Sequence, residues 1–164
     1  MEIVDLLLRT FSEWGYYGLF LGTFLAATVV PFSPGLLVAG MLYFGAKPFW
    51  VFIVATSGNW LGSITTYYLG WLGKWEWIER WFKITREQLA EQQAKISKYG
   101  SLLAFLVWLP IVGDVFALAL GFYKISPIRC AIFILIGKAC RFAVYMIIFK
   151  YTGKWLGLAD IQFW

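Results

Sequence analysis

Asp114, Lys138 and Arg141 lie inside apolar stretches of the chain that are long enough to enter a membrane. An ionised side chain at the bilayer centre costs roughly 2.5–3.5 kcal/mol, so such residues normally face a partner or a watery cavity. Lys138 and Arg141 are three positions apart and therefore project from one face of a helix. Together they suit an anionic headgroup, because arginine offers a bidentate fork that fits phosphate.

The remaining chemistry leaves two alternatives open. Asp114 is either the group that couples transport to protons, or half of a structural ion pair with Lys138 or Arg141. Asn59 is either a further headgroup ligand or a side chain that bonds neighbouring backbone in a packed interface. The chain has no histidine, and its apolar stretches hold no nucleophile–base pair, no carboxylate pair and no metal-ligand cluster. We therefore predict no enzyme, no metal site and no cofactor.

The charged residues belong to a sequence that repeats itself. Each half has two prolines 17 positions apart, and a glycine followed by a polar residue comes ten positions after the second proline. The members are Pro31, Pro48 and Gly58-Asn59 in the first half, and Pro110, Pro127 and Gly137-Lys138 in the second. Interrupted hydrophobic segments at matching places are typical of transporter folds, where they point to the binding site.

Composition places this repeat in a membrane. Of the 164 residues, 61% are hydrophobic and 14% are charged, which a water-soluble domain of this size cannot bury without exposing large apolar patches. One membrane domain over residues 1–164 follows. The net charge of +5 fits contact with anionic lipid surfaces rather than with nucleic acid.

The first half divides into an interfacial amphipathic helix, 1–14, and the first repeat, 15–72. Pro31, Pro34 and Gly35 break its long apolar run into the pieces 15–30 and 36–46. At 1.5 Å per residue these are about 24 and 16 Å long, too short to cross a core of ~30 Å, so they predict a re-entrant hairpin. A plain span, 49–72, follows, with small residues that favour close helix packing: Gly58, Gly62 and Ser63.

A polar connector, 73–99, separates the halves, and its six basic residues predict a cytoplasmic location. Within it, Thr85-x-x-Gln88 predicts a capping box at the start of a helix that ends near Lys98. The second repeat, 100–150, has its own hairpin, broken at Pro110 and Gly113, and a span over 126–149; the tail is 151–164. One span between the hairpins predicts an inverted repeat, with the hairpin tips meeting near the midplane.

Several of these residues resemble a known family. They are Phe24-Leu25-Ala26-Ala27-Thr28 before Pro31, Gly58-Asn59-x-Leu61-Gly62, Tyr99-Gly100, Trp108-Leu109-Pro110-Ile111-Val112-Gly113-Asp114, and Gly137-Lys138-Ala139-Cys140-Arg141-Phe142. The chain is similar, over roughly residues 15–150, to the YqaA-like branch of the DedA family in the VTT superfamily. It departs from the usual DedA pattern in lacking a carboxylate in its first hairpin and an arginine near Trp108.

The resemblance implies a multi-pass protein of the bacterial inner membrane with two opposed re-entrant hairpins. It also implies movement of a phosphate-bearing lipid, undecaprenyl phosphate or a phospholipid, by a transporter, flippase or scramblase. Asp114, Lys138 and Arg141 are the residues that it carries over to this chain.

The leading hypothesis is therefore an all-α membrane protein that moves lipids, with anionic or phosphate-bearing lipids as its partners. A proton- or cation-coupled small-molecule transporter that uses Asp114 is the alternative. A second alternative is a structural membrane protein whose charges order the helix bundle or an oligomer interface. The aromatic residues, 21% of the chain, suit a homo-oligomer face as well as lipid contact.

Overall fold

The computed structural model describes residues 2–28, 33–73, 76, 79–80, 85–108 and 112–155. Within these ranges every regular element is a helix and no strand occurs, so the predicted all-α class is confirmed there. The helices are α1 (Glu2–Ala26), α2 (Pro34–Tyr43), α3 (Pro48–Trp71), α4 (Arg86–Tyr99), a 3₁₀ helix (Gly100–Trp108), α5 (Val112–Phe122) and α6 (Pro127–Trp155).

Proline and a capping box set several of the helix starts. Pro34, Pro48 and Pro127 each occupy the first position of a helix, where a missing N–H costs nothing and the fixed φ suits helical backbone. The predicted capping box before α4 is confirmed. The Gln88 N–H donates to Thr85 Oγ1 at 3.3 Å, and the Thr85 N–H donates to Gln88 Oε1 at 3.1 Å.

Two helices differ from the sequence-based expectation. The predicted interfacial helix, described from Glu2, and the first arm of the hairpin are one continuous helix, α1, which runs without interruption from Glu2 to Ala26. The residues after α4 form a 3₁₀ helix of nine residues, longer than most, where the sequence predicts a helical arm of unspecified type. Hydrophobic content alone does not distinguish the two kinds of helix.

One turn of the backbone recurs with the spacing of the sequence repeat. The turn after α2 and the turn after α5 contain the same three hydrogen bonds, with residues 79 positions apart in corresponding places. Gly45 has a φ of 82° and its counterpart Lys124 has a φ of 53°, both in the left-handed region. The bonds are Phe44 N to Gly40 O, Gly45 N to Leu42 O and Ala46 N to Met41 O, and then Tyr123 N to Ala119 O, Lys124 N to Gly121 O and Ile125 N to Leu120 O.

Helix α3 lies at the centre of the bundle and packs against α1, α5 and α6. Glycines allow this close approach, since a Cβ on Gly62 would overlap Phe24 O of α1 and a Cβ on Gly121 of α5 would overlap Tyr67 O of α3. The small-residue face predicted on α3 therefore contacts α1. Polar side chains add two further ties, because Trp60 Nε1 donates to Ala131 O at 2.9 Å and the Tyr67 hydroxyl donates to Ile125 O.

Buried apolar residues form two main clusters, one at each end of α3. One cluster joins α1, α2, α3 and the second half of α6: Leu19, Val38, Met41, Leu42, Val51, Ala55 and Phe142. The other joins α3, α4, the 3₁₀ helix, α5 and the first half of α6: Tyr67, Ile96, Leu103, Ala104, Val107, Phe116, Ala117, Ala119, Leu120, Cys130 and Ile134.

In the described part of the chain, one helix is long and apolar enough to cross a membrane alone, namely the 26 residues Pro127–Thr152 of α6. Only 28% of its most apolar window is buried against the rest of the protein. The outer face is covered by large apolar side chains, including Ile128, Ile132, Ile136, Ile147 and Ile148. Helices α2 and α5, of 10 and 11 residues, are too short to cross a core of ~30 Å.

Candidate functional site

Lys138 lies inside the helix bundle rather than on its lipid-facing surface. Its side chain is 2% exposed on α6, and that of Asn59, its counterpart 79 positions earlier on α3, is 1% exposed. Helices α3 and α6 contact each other, and each contributes a buried polar residue at the matching position. A buried ammonium within a membrane-length helix requires polar surroundings.

Asn59 is fixed by a hydrogen bond to α1. Its Nδ2 donates to the backbone oxygen of Thr23 at 2.8 Å, which determines the orientation of the amide. The amide oxygen Oδ1 is then an acceptor, and it is buried without a hydrogen-bond partner among the described residues. The Nδ2 group of Asn59 thus bonds backbone of the neighbouring helix, as one of its two predicted roles requires, and the Oδ1 atom remains available to a donor.

Two hydroxyls on the same side of α3, Thr56 Oγ1 and Ser63 Oγ, are also buried without a partner in the part of the chain that the structure describes. At 3.6 residues per turn, Thr56, Asn59 and Ser63 fall within an arc of about 60°. A buried polar atom without a partner carries an uncompensated desolvation cost unless water or a ligand forms a hydrogen bond with it. Sequence reasoning missed Thr56 and assigned Ser63 to packing; the signal was their spacing from Asn59, which places all three on one side of the helix.

Arg141 bonds a tyrosine that lies beside the start of α2. Its Nε donates to the hydroxyl of Tyr145, on the same helix, at 2.8 Å, and the guanidinium carbon lies 5.4 Å from the centre of the Tyr145 ring. Gly35 is next to this ring, because a Cβ on Gly35 would lie 3.3 Å from Tyr145 Cε2. The predicted break at Pro34 and Gly35 therefore lies beside the predicted headgroup ligand, through a tyrosine that sequence reasoning missed.

The other predicted site residues are described in part. Gly113 is the second residue of α5, and a Cβ there would overlap Val107 O, so the break after the 3₁₀ helix needs glycine. Asp114 is in the first turn of α5, but its side chain lies outside the described part of the structure, as do Pro31 and Pro110. A pairing of Asp114 with Lys138 or Arg141 remains a prediction.

Ligand sets for a metal are absent from the described residues, which contain no group of three or more His, Cys, Asp or Glu side chains. The described residues provide two cations on α6, three buried oxygens on α3 and the hydroxyl of Tyr145 beside α2. This set can hold an anion while offering acceptors to water or to a donor.

A known protein family matches most of this chain. The model of the VTT domain matches residues 30–151, a range that contains Asn59, Asp114, Lys138 and Arg141. The chain belongs to the VTT domain family. The matched range begins just before the first predicted hairpin break and ends near the end of α6. The sequence-based resemblance to DedA proteins is thereby confirmed.

Relatives of this VTT domain are found in several bacteria. Inner membrane protein YqaA of Escherichia coli (strain K12) is 32% identical over 129 residues, covering 77% of this chain and 84% of the relative. The YqaA protein of Shigella flexneri has the same values, and an uncharacterized protein of Haemophilus influenzae is 31% identical over 139 residues, covering 78% and 83%. No solved structure gives a significant match to the chain.

Proposed function

We propose that this protein moves phosphate-bearing lipids across the bacterial inner membrane. The observation that carries the proposal is Lys138, a lysine only 2% exposed within a helix of membrane-spanning length. An ionisable residue at such depth is expensive and normally serves a pathway or a site. The location is carried over from the relatives named inner membrane protein YqaA.

Each polar group has a role in this proposal. Arg141 binds the phosphate through its guanidinium, with Tyr145 holding the side chain in place. Lys138 adds a second positive charge, and the N-terminus of α2 beside Tyr145 adds partial positive charge. The three oxygens of α3 make the passage suitable for a hydrated headgroup, because Thr56, Asn59 and Ser63 provide hydrogen-bond acceptors within an apolar bundle.

The proposed topology explains how so small a protein forms a passage. Two opposed re-entrant hairpins, built from the breaks at Pro31, Pro34 and Gly35 and at Pro110 and Gly113, thin the membrane locally. Their tips meet near the midplane, the connector 73–99 is cytoplasmic, and the hydrocarbon chains remain in contact with the bilayer. The matched turns after α2 and α5 support a repeat, since the same backbone bonds recur 79 residues later.

The experiment is lipid translocation in liposomes that hold the purified protein, with a fluorescent phospholipid and a short-chain polyprenyl phosphate as substrates. We expect Arg141→Ala to lose at least tenfold in rate, or about 1.4 kcal/mol of headgroup binding. Arg129→Ala is the matched control, because Arg129 is an exposed arginine of the same helix and its loss should change the rate less than twofold. Wild-type protein no faster than empty liposomes, or an Arg141→Ala protein as fast as wild type, would contradict the proposal.

A cation-coupled transporter is the second candidate, because three neutral oxygens on one side of α3 are ligands of the kind that hard cations take. In that case Asp114→Asn abolishes a proton-dependent flux, measured with a pH-sensitive dye in the same liposomes, and leaves lipid movement unchanged. Loss of stability in every charge variant without a transport defect would instead support a structural protein.

A further inference from the structure

An open apolar groove runs between α1 and α2, with a cavity volume of about 420 Å³. From α1 it is lined by Gly18 and Leu19, and from α2 by Leu37, Gly40 and Met41. Exposed side chains form its rim: Trp14, Leu36 and Phe44. The site proposed above does not use this groove, and the two helices leave it unfilled.

Glycines keep the groove open. A Cβ on Gly18 or on Gly40 would meet no atom within 4 Å, so each glycine faces empty space. On either side of them α1 and α2 touch, because a Cβ on Gly15 would lie 3.0 Å from Met41 and a Cβ on Gly22 would overlap Leu37. The gap between these two contacts is therefore a feature of the helix pair rather than of loose packing throughout.

One end of the groove lies near the tyrosine that bonds the arginine. Its α2 wall begins at Leu36, directly after Gly35, and a Cβ on Gly35 would lie 3.3 Å from Cε2 of the Tyr145 ring. The hydroxyl of that ring accepts the hydrogen bond from Arg141 Nε at 2.8 Å. An apolar groove with a cation at one end matches a molecule that has a hydrocarbon chain at one end and a phosphate at the other.

The lining and length of the groove fit part of a hydrocarbon chain. From Leu36 to Phe44 the α2 wall rises about 12 Å, at 1.5 Å per residue. The walls are apolar over that length, and the cation lies near one end only. This arrangement matches a hydrocarbon chain that is attached to a phosphate.

We propose that the groove between α1 and α2 binds one hydrocarbon chain of the lipid whose phosphate lies at Arg141. The identification of this lipid with the transported lipid rests on the proposed function. Binding a chain here holds the lipid at the headgroup passage while its remaining hydrocarbon stays in the bilayer.

The test is photocrosslinking of the full-length protein in liposomes with a phospholipid that carries a diazirine near the end of one acyl chain. A lipid with the diazirine on its headgroup is the matched probe, and labelled peptides are located by mass spectrometry. We expect the acyl probe to label 15–19 and 36–41, and Gly40→Leu to reduce that labelling at least tenfold. Leucine at position 40 fills empty space and favours helix, so the fold is retained.

Gly18→Leu, on the facing wall, should have the same effect and guards against a defect peculiar to Gly40→Leu. Leu21→Trp is the control, because Leu21 is exposed on α1 and does not line the groove. It should leave groove labelling within twofold of wild type. Groove labelling that survives both glycine substitutions, or that is no stronger than labelling of the exposed α6 face at Ile128 and Ile132, overturns the proposal.

The same samples separate this proposal from the proposed function. If the wild-type groove is labelled, both glycine variants lose this labelling and the wild-type protein moves no lipid, the groove proposal is supported and the transport proposal is contradicted. If the wild-type protein moves lipid, Gly40→Leu does so at the same rate and the groove is not labelled, the groove proposal is overturned and the transport proposal is supported. A crosslink between two copies of the chain through 36–44 in place of lipid labelling also overturns it.

Discussion

Arg141 donates its Nε–H to the hydroxyl of Tyr145, one helical turn further along α6, at a distance of 2.8 Å. The ring of Tyr145 in turn lies against Gly35 at the start of α2, so one tyrosine relates the cation to the helix that follows the first break. The hydrogen bond fixes a long, flexible side chain beside a helix N-terminus, and the position of Arg141 therefore depends on Tyr145.

Tyr145→Phe should weaken transport without unfolding the protein. The substitution keeps the ring against Gly35 and removes only the acceptor, and a hydrogen bond to a charged group contributes about 1.5–3 kcal/mol. We expect the rate of lipid translocation to fall about tenfold in the liposome assay. Tyr151→Phe, an exposed tyrosine of the same helix, is the control and should keep the wild-type rate. Equal rates for both variants would mean that Arg141 does not depend on this bond.

Replacing the unpartnered hydroxyls of α3 should have opposite effects on stability and on transport. In the double variant Thr56→Val and Ser63→Ala, no hydrogen bond is lost, so we expect the free energy of unfolding to be unchanged or to rise by about 1 kcal/mol. Transport should nevertheless fall, because the passage loses acceptors for a hydrated headgroup.

Thr66→Val is the matched control on the same helix. The hydroxyl of Thr66 is also buried, but it lies within bonding distance of Ala27 O at 3.0 Å and of Gly62 O at 3.1 Å. This variant should lose about 1 kcal/mol of stability, since a bond disappears and Ala27 O loses a donor. Thermal unfolding in detergent, followed by far-UV circular dichroism, measures both variants. A double variant less stable than Thr66→Val would contradict the view that the two hydroxyls have no protein partner.

Gly121→Ala should destabilise the bundle more than most single substitutions. The added methyl group would overlap Tyr67 O of α3 and come within 3.0 Å of Trp71 N, both backbone atoms that cannot rotate away. Forcing α3 and α5 apart costs on the order of 3 kcal/mol. Gly18→Ala is the control, since its methyl group meets nothing within 4 Å and helix propensity favours alanine by up to about 1 kcal/mol. The unfolding midpoint should fall in the first variant and hold or rise in the second.

Sequence alone predicted the local features of this fold, because each has a cause within a few residues. Prolines and the Thr85–Gln88 capping box determine helix starts directly. The apolar run around Lys138 is sufficient to predict a helix long enough to cross a membrane. The continuity of α1 was missed, because the change from an amphipathic to an apolar pattern after residue 14 does not end a helix.

Features that depend on contacts between distant segments were beyond sequence reasoning. Tyr145 becomes part of the site only because α6 packs against the start of α2, more than 100 residues earlier. The hydroxyls of Thr56 and Ser63 lack partners only because of where the neighbouring helices lie. The 3₁₀ form of Gly100–Trp108 likewise follows from packing, since its residues alone fit either helix.

Matched cysteines in the two repeats should be accessible from opposite sides of the membrane. Lys47 and Ser126 are exposed residues 79 positions apart, each just before the proline that starts α3 or α6. In an inverted repeat, corresponding residues face opposite compartments. With a cytoplasmic connector, Lys47→Cys should react with a membrane-impermeant maleimide from the periplasmic side and Ser126→Cys from the cytoplasmic side.

For this measurement the two native cysteines are removed by Cys130→Ala and Cys140→Ala. Glu87→Cys in the connector serves as the cytoplasmic reference. Intact cells report the periplasmic side and inside-out vesicles the cytoplasmic side. Labelling of positions 47 and 126 from the same side would exclude the inverted repeat, because α3 and the second hairpin would then return the chain to its starting compartment. Labelling of Glu87→Cys in intact cells would instead preserve the inversion and reverse the orientation of the whole protein.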